Sequence, residues 1–281
     1  MTDHTQETAM DQPAEFHVTV EQAGDRATDL LHAHSQLTKG RLKHAMQCGA
    51  VWLTRGKKTQ RLRRQSRPLR AGDVVHLYYD PKVLDTQPIA PTLIEDAGVF
   101  SVWDKPSGLR SQGSKWGDHC TVVRWAEKHL DPQRNGFTVH RLDRAASGLI
   151  VVAHSKRAAA HLSGQFRDRI VDKRYRATVE GIPDFANDPL IIDSPIDGKA
   201  AHTEVAIHSL DPDQQTSVLN VTIKTGRKHQ IRRHLAELGY PIVGDRLYGN
   251  ASGDDVDLQL RAVALAFDHP ETGARMEYGL C

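Results

Sequence analysis

The run His140-Arg141-Leu142-Asp143-Arg144-Ala145-Ala146-Ser147-Gly148-Leu149 sets one carboxylate, Asp143, among two guanidiniums and an imidazole, and leads into the apolar stretch Ile150-Val151-Val152-Ala153. Flanking positive charge favours the ionised form of a carboxylic acid. Such a group can act as base or nucleophile, or it can simply pair with a neighbouring Arg in a surface turn. This stretch alone leaves both open. Two other segments concentrate polar side chains. Lys173-Arg174-Tyr175-Arg176-Ala177-Thr178-Val179-Glu180-Gly181 alternates, so Tyr175, Ala177 and Val179 share one face of a strand and Arg174 and Arg176 the other. A Tyr at such a position is ordinarily core. Thr225-Gly226-Arg227-Lys228-His229-Gln230-Ile231-Arg232-Arg233-His234-Leu235 then opens an amphipathic helix with the stripe Ile231, Leu235, Leu238, followed by the turn-rich Gly239-Tyr240-Pro241-Ile242-Val243-Gly244-Asp245-Arg246-Leu247-Tyr248-Gly249.

The elements that must position these residues follow from period and caps. Val99 to Trp103 reads as a strand broken by Asp104-Lys105-Pro106-Ser107-Gly108, and Thr121 to His129 as a helix. Ser155 caps a helix running to about Asp168; strands are expected at His202 to His208, Ser217 to Lys224 and Leu258 to Phe267, with a hairpin at Glu271-Thr272-Gly273. Ahead of this region, residues 1–20 hold Asp3, Glu7, Asp11 and Glu15, no Lys or Arg and few large apolar side chains, the composition of a disordered tail. Residues 21–80 read as a small domain: a helix over Asp25 to His34, a second capped by Thr38 and closed by Gly49, then the strands Ala50 to Leu53 and Val74 to Leu77. Residues 81–92, with Pro81, Pro88 and Pro91, read as a linker, and 93–281 as the second domain.

Composition removes several classes of function. No apolar stretch approaches the roughly 20 residues of a membrane span, and residues 1–20 show no charged start followed by an apolar segment, so a cytoplasmic protein is expected. Cys48, Cys120 and Cys281 are widely spaced, without a C-x-x-C pair, and no His spacing matches a metal site, so neither a metal nor a disulfide is expected. H-R-L-D without D-F-G or a G-x-G-x-x-G loop does not fit a protein kinase. The net charge of +2 conceals an asymmetry: no acidic residue lies between Asp29 and Asp73, where Lys39, Arg41, Lys43, Arg55, Lys57, Lys58, Arg61, Arg63, Arg64, Arg67 and Arg70 supply eleven cations. From residue 71 onward 25 basic residues face 28 acidic ones. A positive field confined to one segment suits a polyanion, and nucleic acid is the expected partner.

The set H-R-L-D-R-x-x-S-G-L, K-R-Y-R-A-x-V-x-G and T-G-R-K-H-Q-I-R-R-H-L with G-x-P-I-x-G-D-x-x-Y-G, preceded by Lys105-Pro106-x-Gly108, closely resembles the RluA-type family of RNA pseudouridine synthases over about residues 93–275. Residues 25–80 resemble the small RNA-binding domain of ribosomal small-subunit protein four. The resemblance implies an α+β fold: a mixed, largely antiparallel central sheet flanked by helices, plus a small N-terminal α+β domain. It implies isomerisation of uridine in structured ribosomal or transfer RNA, with no cofactor and no obligate protein partner. Asp143 would be the essential carboxylate, as nucleophile at the sugar or as base. Arg141, with His140 beside it, would enter the place vacated by the flipped uridine. Tyr175 would stack on the extruded base, its hydroxyl assisting loss of the carbon 5 proton, and Arg227 would pair with Asp143. Lys39, Arg41, Lys43, Arg55, Lys57, Arg61, Arg63, Arg64 and Arg67 would hold RNA. One position departs from the family pattern: Ala146 stands where Thr usually precedes Ser-Gly, removing a hydroxyl worth about 1 kcal/mol as a local hydrogen bond. That departure leaves open a relative that binds or folds RNA without catalysis.

Overall fold

The computed structural model describes residues 12–185, 189–251 and 256–280. Contacts divide the chain into two compact units, one running through Pro88 and including Gln112–Arg124, the other comprising Ile89–Ser111 and the chain from Trp125 onward. The first unit therefore takes in a segment that the expected linear division assigned to the second domain.

In the first unit, β1 (Ala14–Thr19), β2 (Val51–Arg55), β3 (Lys58–Arg61) and β4 (Val74–Tyr79) form an antiparallel sheet in the order β1-β4-β2-β3. Helices α1 (Ala27–Ser35) and α2 (Lys39–Gln47) share one core with it: Leu31, Leu42 and Met46 belong to the same buried cluster as Val18, Val51, Leu53, Val75 and Leu77. Thr38 caps α2 by accepting the Arg41 N–H, and Gly49 takes φ 79 just past the helix, as the sequence implies. Two expectations are corrected. Residues 14–19 are not a tail: Phe16, Val18 and Val20 recur at period two, enough apolar surface for β1 to pair along β4 with His17 opposite His76; residues 1–11 of the expected tail lie outside the described residues. The expected linker also carries structure, because Asp80 caps the short helix α3 (Pro81–Leu84), with Pro at its first position, and β5 (Thr92–Asp96) starts at its end.

After β5 the chain continues as β6 (Phe100–Lys105), α4 (Val122–His129), β7 (Phe137–Thr138), β8 (Ser147–Ala153), α5 (Lys156–Arg167), β9 (Asp172–Glu180), β10 (Leu190–Ile192), β11 (Thr203–Asp211), β12 (Thr216–Ile223), α6 (Gln230–Glu237), β13 (Leu260–Asp268) and β14 (Arg275–Gly279). The second unit's sheet runs β10-β11-β12-β9-β13-β8-β6-β5, with β14 added to β13 and β7 to β8. Among the described residues its pairings are antiparallel except β8 with β13, so the expected α+β class with a largely antiparallel central sheet holds. Ser155 caps α5 through the Ala158 N–H, and α6 buries Ile231 and Leu235 against the sheet. Leu238, expected on that stripe, is the residue that ends the helix and is exposed.

The parallel pair fixes where the Asp143 loop ends. Gly148 sits opposite Ala262 with φ 106, and a Cβ there would lie 2.2 Å from the Ala262 carbonyl oxygen and 2.5 Å from its nitrogen. Only glycine fits both the dihedral and the approach. Gly148→Ala is expected to destabilise the protein by about 3 kcal/mol or more, through a strained backbone and a separated β8–β13 pair. Urea unfolding of the two proteins measures this.

Candidate active site

Asp143 lies in the loop between β7 and β8, and that loop is held chiefly by its main chain. The buried Lys105 at the end of β6 donates from Nζ to the carbonyls of Ala146 (2.6 Å), Leu109 (2.8 Å), Pro106 (3.0 Å) and Arg144 (3.4 Å). Ser107 Oγ donates to Ala145 O at 2.8 Å, and Gly108 N to Arg144 O at 2.9 Å. Ser111 Oγ accepts the Leu142 N–H at 2.9 Å and donates to Leu142 O at 2.7 Å. The Lys105-Pro106-Ser107-Gly108 turn is thus a cradle for residues 142–146. Burial pulls the Lys105 ammonium down to about 8, opposed by the charges of Asp143 and Asp104. Ala146 is itself buried and tied down through its carbonyl, so its missing hydroxyl does not release the loop.

The opposite constraint comes from α6. At the first position of the helix, the buried Gln230 side chain accepts the Thr225 hydroxyl (2.7 Å) and the Arg227 N–H (3.0 Å) of the preceding turn and donates to His202 O and Thr203 Oγ1, both at 2.9 Å. His234 adds bonds to Thr203 Oγ1 (2.9 Å) and Ser194 O (3.0 Å). With α6 pinned this way, Arg232 points inward. It forms a bidentate pair with Asp245, Nε to Oδ2 at 2.8 Å and Nη2 to Oδ1 at 2.7 Å, and its remaining Nη1 reaches Asp143 Oδ2 at 3.3 Å. Asp245 Oδ1 also accepts the N–H groups of Leu247 (2.9 Å) and Tyr248 (3.1 Å), and the Arg232 guanidinium lies 5.2 Å from the Tyr248 ring centroid. Burial favours neutral Asp245, but Arg232 and those two N–H donors outweigh it and hold its carboxyl below the usual range. On the other oxygen of Asp143, His229 Nε2 stands 3.8 Å away, while His229 Nδ1 is 2.9 Å from the Tyr248 hydroxyl.

The expected site residues separate into those brought together and those not. Asp143 is partly exposed, as a group that must meet substrate should be. Tyr175 packs against the core cluster of the sheet, and its phenol is held protonated by burial and by the nearby negative charge of Asp143. Arg141 is exposed and makes no hydrogen bond or ion pair among the described residues. Arg227 is a correction: its Nε donates to Ala200 O at 2.9 Å, and the partner of Asp143 is Arg232. Arg227 belongs to the turn that Gln230 ties down, ahead of the helix that faces the carboxylate. His140 is a second correction. Its Nε2 accepts the Val151 N–H at 2.9 Å, its ring stacks on Phe166 with centroids 4.3 Å apart, and burial pushes it to about 3, so its ring is engaged by β8 and α5. Sequence reasoning missed Arg232, His229, Lys105 and Asp245. The signal was present for Asp245, since an aspartate in an otherwise apolar turn, Ile242-Val243-Gly244-Asp245, needs a cation.

In the first unit the basic segment is less available than its composition suggests. Arg55 pairs with the buried Asp73 through Nε and Nη2 at 2.8 and 2.6 Å. Arg61 and Arg63 both close on Asp118, a residue far along the chain, and on the carbonyls of Gly49 and Gln47. Lys39 pairs with Asp29 at 2.6 Å, Arg41 donates to the Tyr79 hydroxyl at 2.9 Å, and the Arg67 guanidinium lies against the Gln60 amide. Lys43, Lys57, Lys58 and Arg64 are exposed, with no such side-chain partner among the described residues.

Comparison with known proteins adds an independent line. The RNA pseudouridylate synthase family model matches residues 99–237. An uncharacterized RNA pseudouridine synthase of Aquifex aeolicus is 31% identical over 89% of this chain and 87% of its own. The dual-specificity RNA pseudouridine synthase RluA of Salmonella typhimurium is 37% identical over 68% of this chain and 93% of its own. Human RNA pseudouridylate synthase domain containing 1 shares the fold, with a TM-score of 0.56 over 70% of this chain and 86% of its own at 24% identity.

The buried pair makes stability depend on acid. Asp245, with its folded-state pKa depressed, contributes stability that is fully present above the unfolded value of about 3.9 and is lost as pH falls through the folded value. Asp245→Asn leaves the Arg232 charge without its bidentate partner and is expected to cost about 3 kcal/mol at neutral pH. That gap should narrow as pH falls below about 4 and wild-type Asp245 protonates. Denaturant melts of both proteins across this range check it.

Proposed function

Because the chain belongs to the RNA pseudouridine synthase family, we propose that Asp143 is the carboxylate on which its isomerisation of uridine turns, and that its substrate is ribosomal or transfer RNA in the cytoplasm. The observation that carries this is the two-sided clamp on Asp143. The main chain on either side of it is fixed by Lys105, Ser107 and Ser111, and its carboxylate is met by Arg232 while remaining open to solvent. A carboxylate oriented but not fully consumed by its partners is ready for attack at the sugar or for proton removal. Tyr175 supplies a half-buried ring for a flipped uracil, and Arg141, exposed beside Asp143, is available to fill the emptied stack. The dual specificity named for the Salmonella relative supports a substrate range wider than one RNA site.

The first unit is read as an RNA-holding module working through Lys43, Lys57, Lys58 and Arg64, with Arg55, Arg61 and Arg63 reassigned to holding that unit together. The exposed charge left after internal pairing supports this.

Asp143→Asn is expected to abolish pseudouridine formation in bulk RNA from cells lacking the protein, with RNA affinity retained; conversion at the wild-type rate would overturn the role. Replacing Lys43, Lys57, Lys58 and Arg64 together by Gln is expected to weaken RNA binding and flatten the plot of log affinity against log salt by about 1 to 3 in slope. Filter binding over a salt series reads this, and an unchanged slope would remove the module from the RNA interface.

A further inference from the structure

The alternation of β9 has two sides. Tyr175, Ala177 and Val179 join the core cluster that holds Ala146 of the Asp143 loop, so Arg174 and Arg176 face the other way. The neighbouring strands keep the same division. Leu219 and Val221 of β12, Val205 of β11 and Leu260 of β13 are buried on the Tyr175 side. Arg261, Asn220, Thr222 and Ala206, on the Arg176 side, are not. Both α5 and α6 pack on the Tyr175 side: Ile231 and Leu235 share a cluster with Ala177, and Leu162 shares one with Leu265, which stands opposite Lys173.

On the side away from these helices a ladder row reads Arg261, Arg176, Asn220, Ala206 across four strands, with Arg174 two residues before Arg176 on the same side. Directly opposed side chains have Cβ atoms about 4.5–5.5 Å apart, where like charges repel. Arg261 is compensated by Asp104 at 2.7 Å. The carboxylates on this side of β9 and β11 already have donors: Asp172 pairs with Arg275, Glu180 accepts from Asn250 at 2.8 Å, and Glu204 meets His202 at 3.2 Å. Arg174 and Arg176 make no hydrogen bond or ion pair among the described residues, and Arg176 Nε is shielded from water without an acceptor. A neutral β-branched residue would serve this ladder without the repulsion.

We propose that this face is a second RNA contact, in which Arg174 and Arg176 hold phosphates of the substrate while its uridine is engaged on the Tyr175 side. It rests on the reading of RNA as the substrate. Each guanidinium presents a planar fork that matches a phosphate with two parallel hydrogen bonds. Two strand rises of about 3.3 Å set the two side chains about 6.6 Å apart, a spacing that successive phosphates of one RNA strand can span. The α5–β9 turn offers a route between the two sides, and Arg169, exposed there with φ 62, continues the positive charge toward it. Contacts of this kind carry no sequence information; they add affinity and orientation to whatever RNA the cleft selects.

The test compares the full-length wild type with Arg174→Gln/Arg176→Gln and Arg174→Lys/Arg176→Lys, using bulk RNA from cells lacking the protein. In filter binding over a salt series the Gln pair is expected to bind more weakly, with the slope of log affinity against log salt smaller by about 1 to 2, while the Lys pair keeps the wild-type slope. Relieved of the repulsion, the Gln pair should melt no lower than wild type. Single-turnover conversion should need more of the Gln protein for half-maximal rate and reach the same maximum. Affinity and slope unchanged in the Gln pair would overturn the proposal and leave the row for an acidic protein surface. An equal loss of affinity in the Lys pair, or a lowered midpoint in the Gln pair, would overturn it in favour of a structural role. Conversion by the wild type tests the enzymatic reading separately: a wild type that binds but converts nothing sinks that reading, and the salt slopes still decide the arginines.

Discussion

The pair between Asp245 and Arg232 is the constraint on which the site rests. Taking both charges out of water is unfavourable, and attraction in the interior compensates only when geometry is good and the remaining hydrogen-bonding capacity is used. Here it is used in full view: Asp245 meets two guanidinium nitrogens and two backbone N–H groups, and Arg232 has one nitrogen left, which reaches Asp143. The pair therefore fixes three things together: the roll of α6, the path of the loop through Leu247 and Tyr248, and the position of positive charge beside Asp143. A side chain as long as Arg232 would otherwise sample many rotamers, and the entropy of ordering it has been met by Asp245 before substrate arrives.

The second constraint acts on backbone. Lys105 has three protons and faces four carbonyls, two of them in the Asp143 loop. A buried ammonium without such acceptors would lose its charge outright, and even here burial has drawn it well down toward neutrality. Gly148 then leads the chain along β8 against the Ala262 main chain, so the exit of the loop is fixed by a contact that tolerates no added atom. Charge is aimed from α6 and geometry from β6, and these are separate elements of one sheet-centred unit. A change in either reaches Asp143 through a different route, one altering its electrostatic environment and the other its placement.

Much of this fold is legible in the sequence because the signals are local. The alternation of Tyr175, Ala177 and Val179 gives β9 and its inward face, and Thr38 and Ser155 cap the helices they precede. The site is legible as far as Asp143 and Tyr175, whose segments carry their own context. It fails at the partner, since Thr225 to Leu235 offers Arg227, Arg232 and Arg233, and the choice among them depends on which way α6 rolls. The stripe Ile231 and Leu235 puts Arg232 on the flank next to the core, while the Gln230 knot turns Arg227 toward Ala200. His140 fails for the complementary reason: its neighbours in sequence are arginines, but its neighbours in space are Phe166 and the Val151 N–H.

The basic segment shows the same limit as a matter of electrostatics. Counting charge along the chain treats each cation as available, yet folding brings Asp118 from a distant segment onto Arg61 and Arg63 and sets Asp73 against Arg55. These pairs are partly or largely shielded from water, so their attraction is screened less by salt than that of an exposed pair. A phosphate approaching Arg61 would have to compete with a carboxylate already in place, two carbonyls and the Trp52 ring 4.2 Å away. Lys57, Lys58 and Arg64 meet no such competitor, and they follow one another closely at the β2–β3 turn and just beyond β3. The positive field of this unit is therefore carried by fewer, more exposed cations than its composition contains, and the arginines at its centre act first on the fold that presents them.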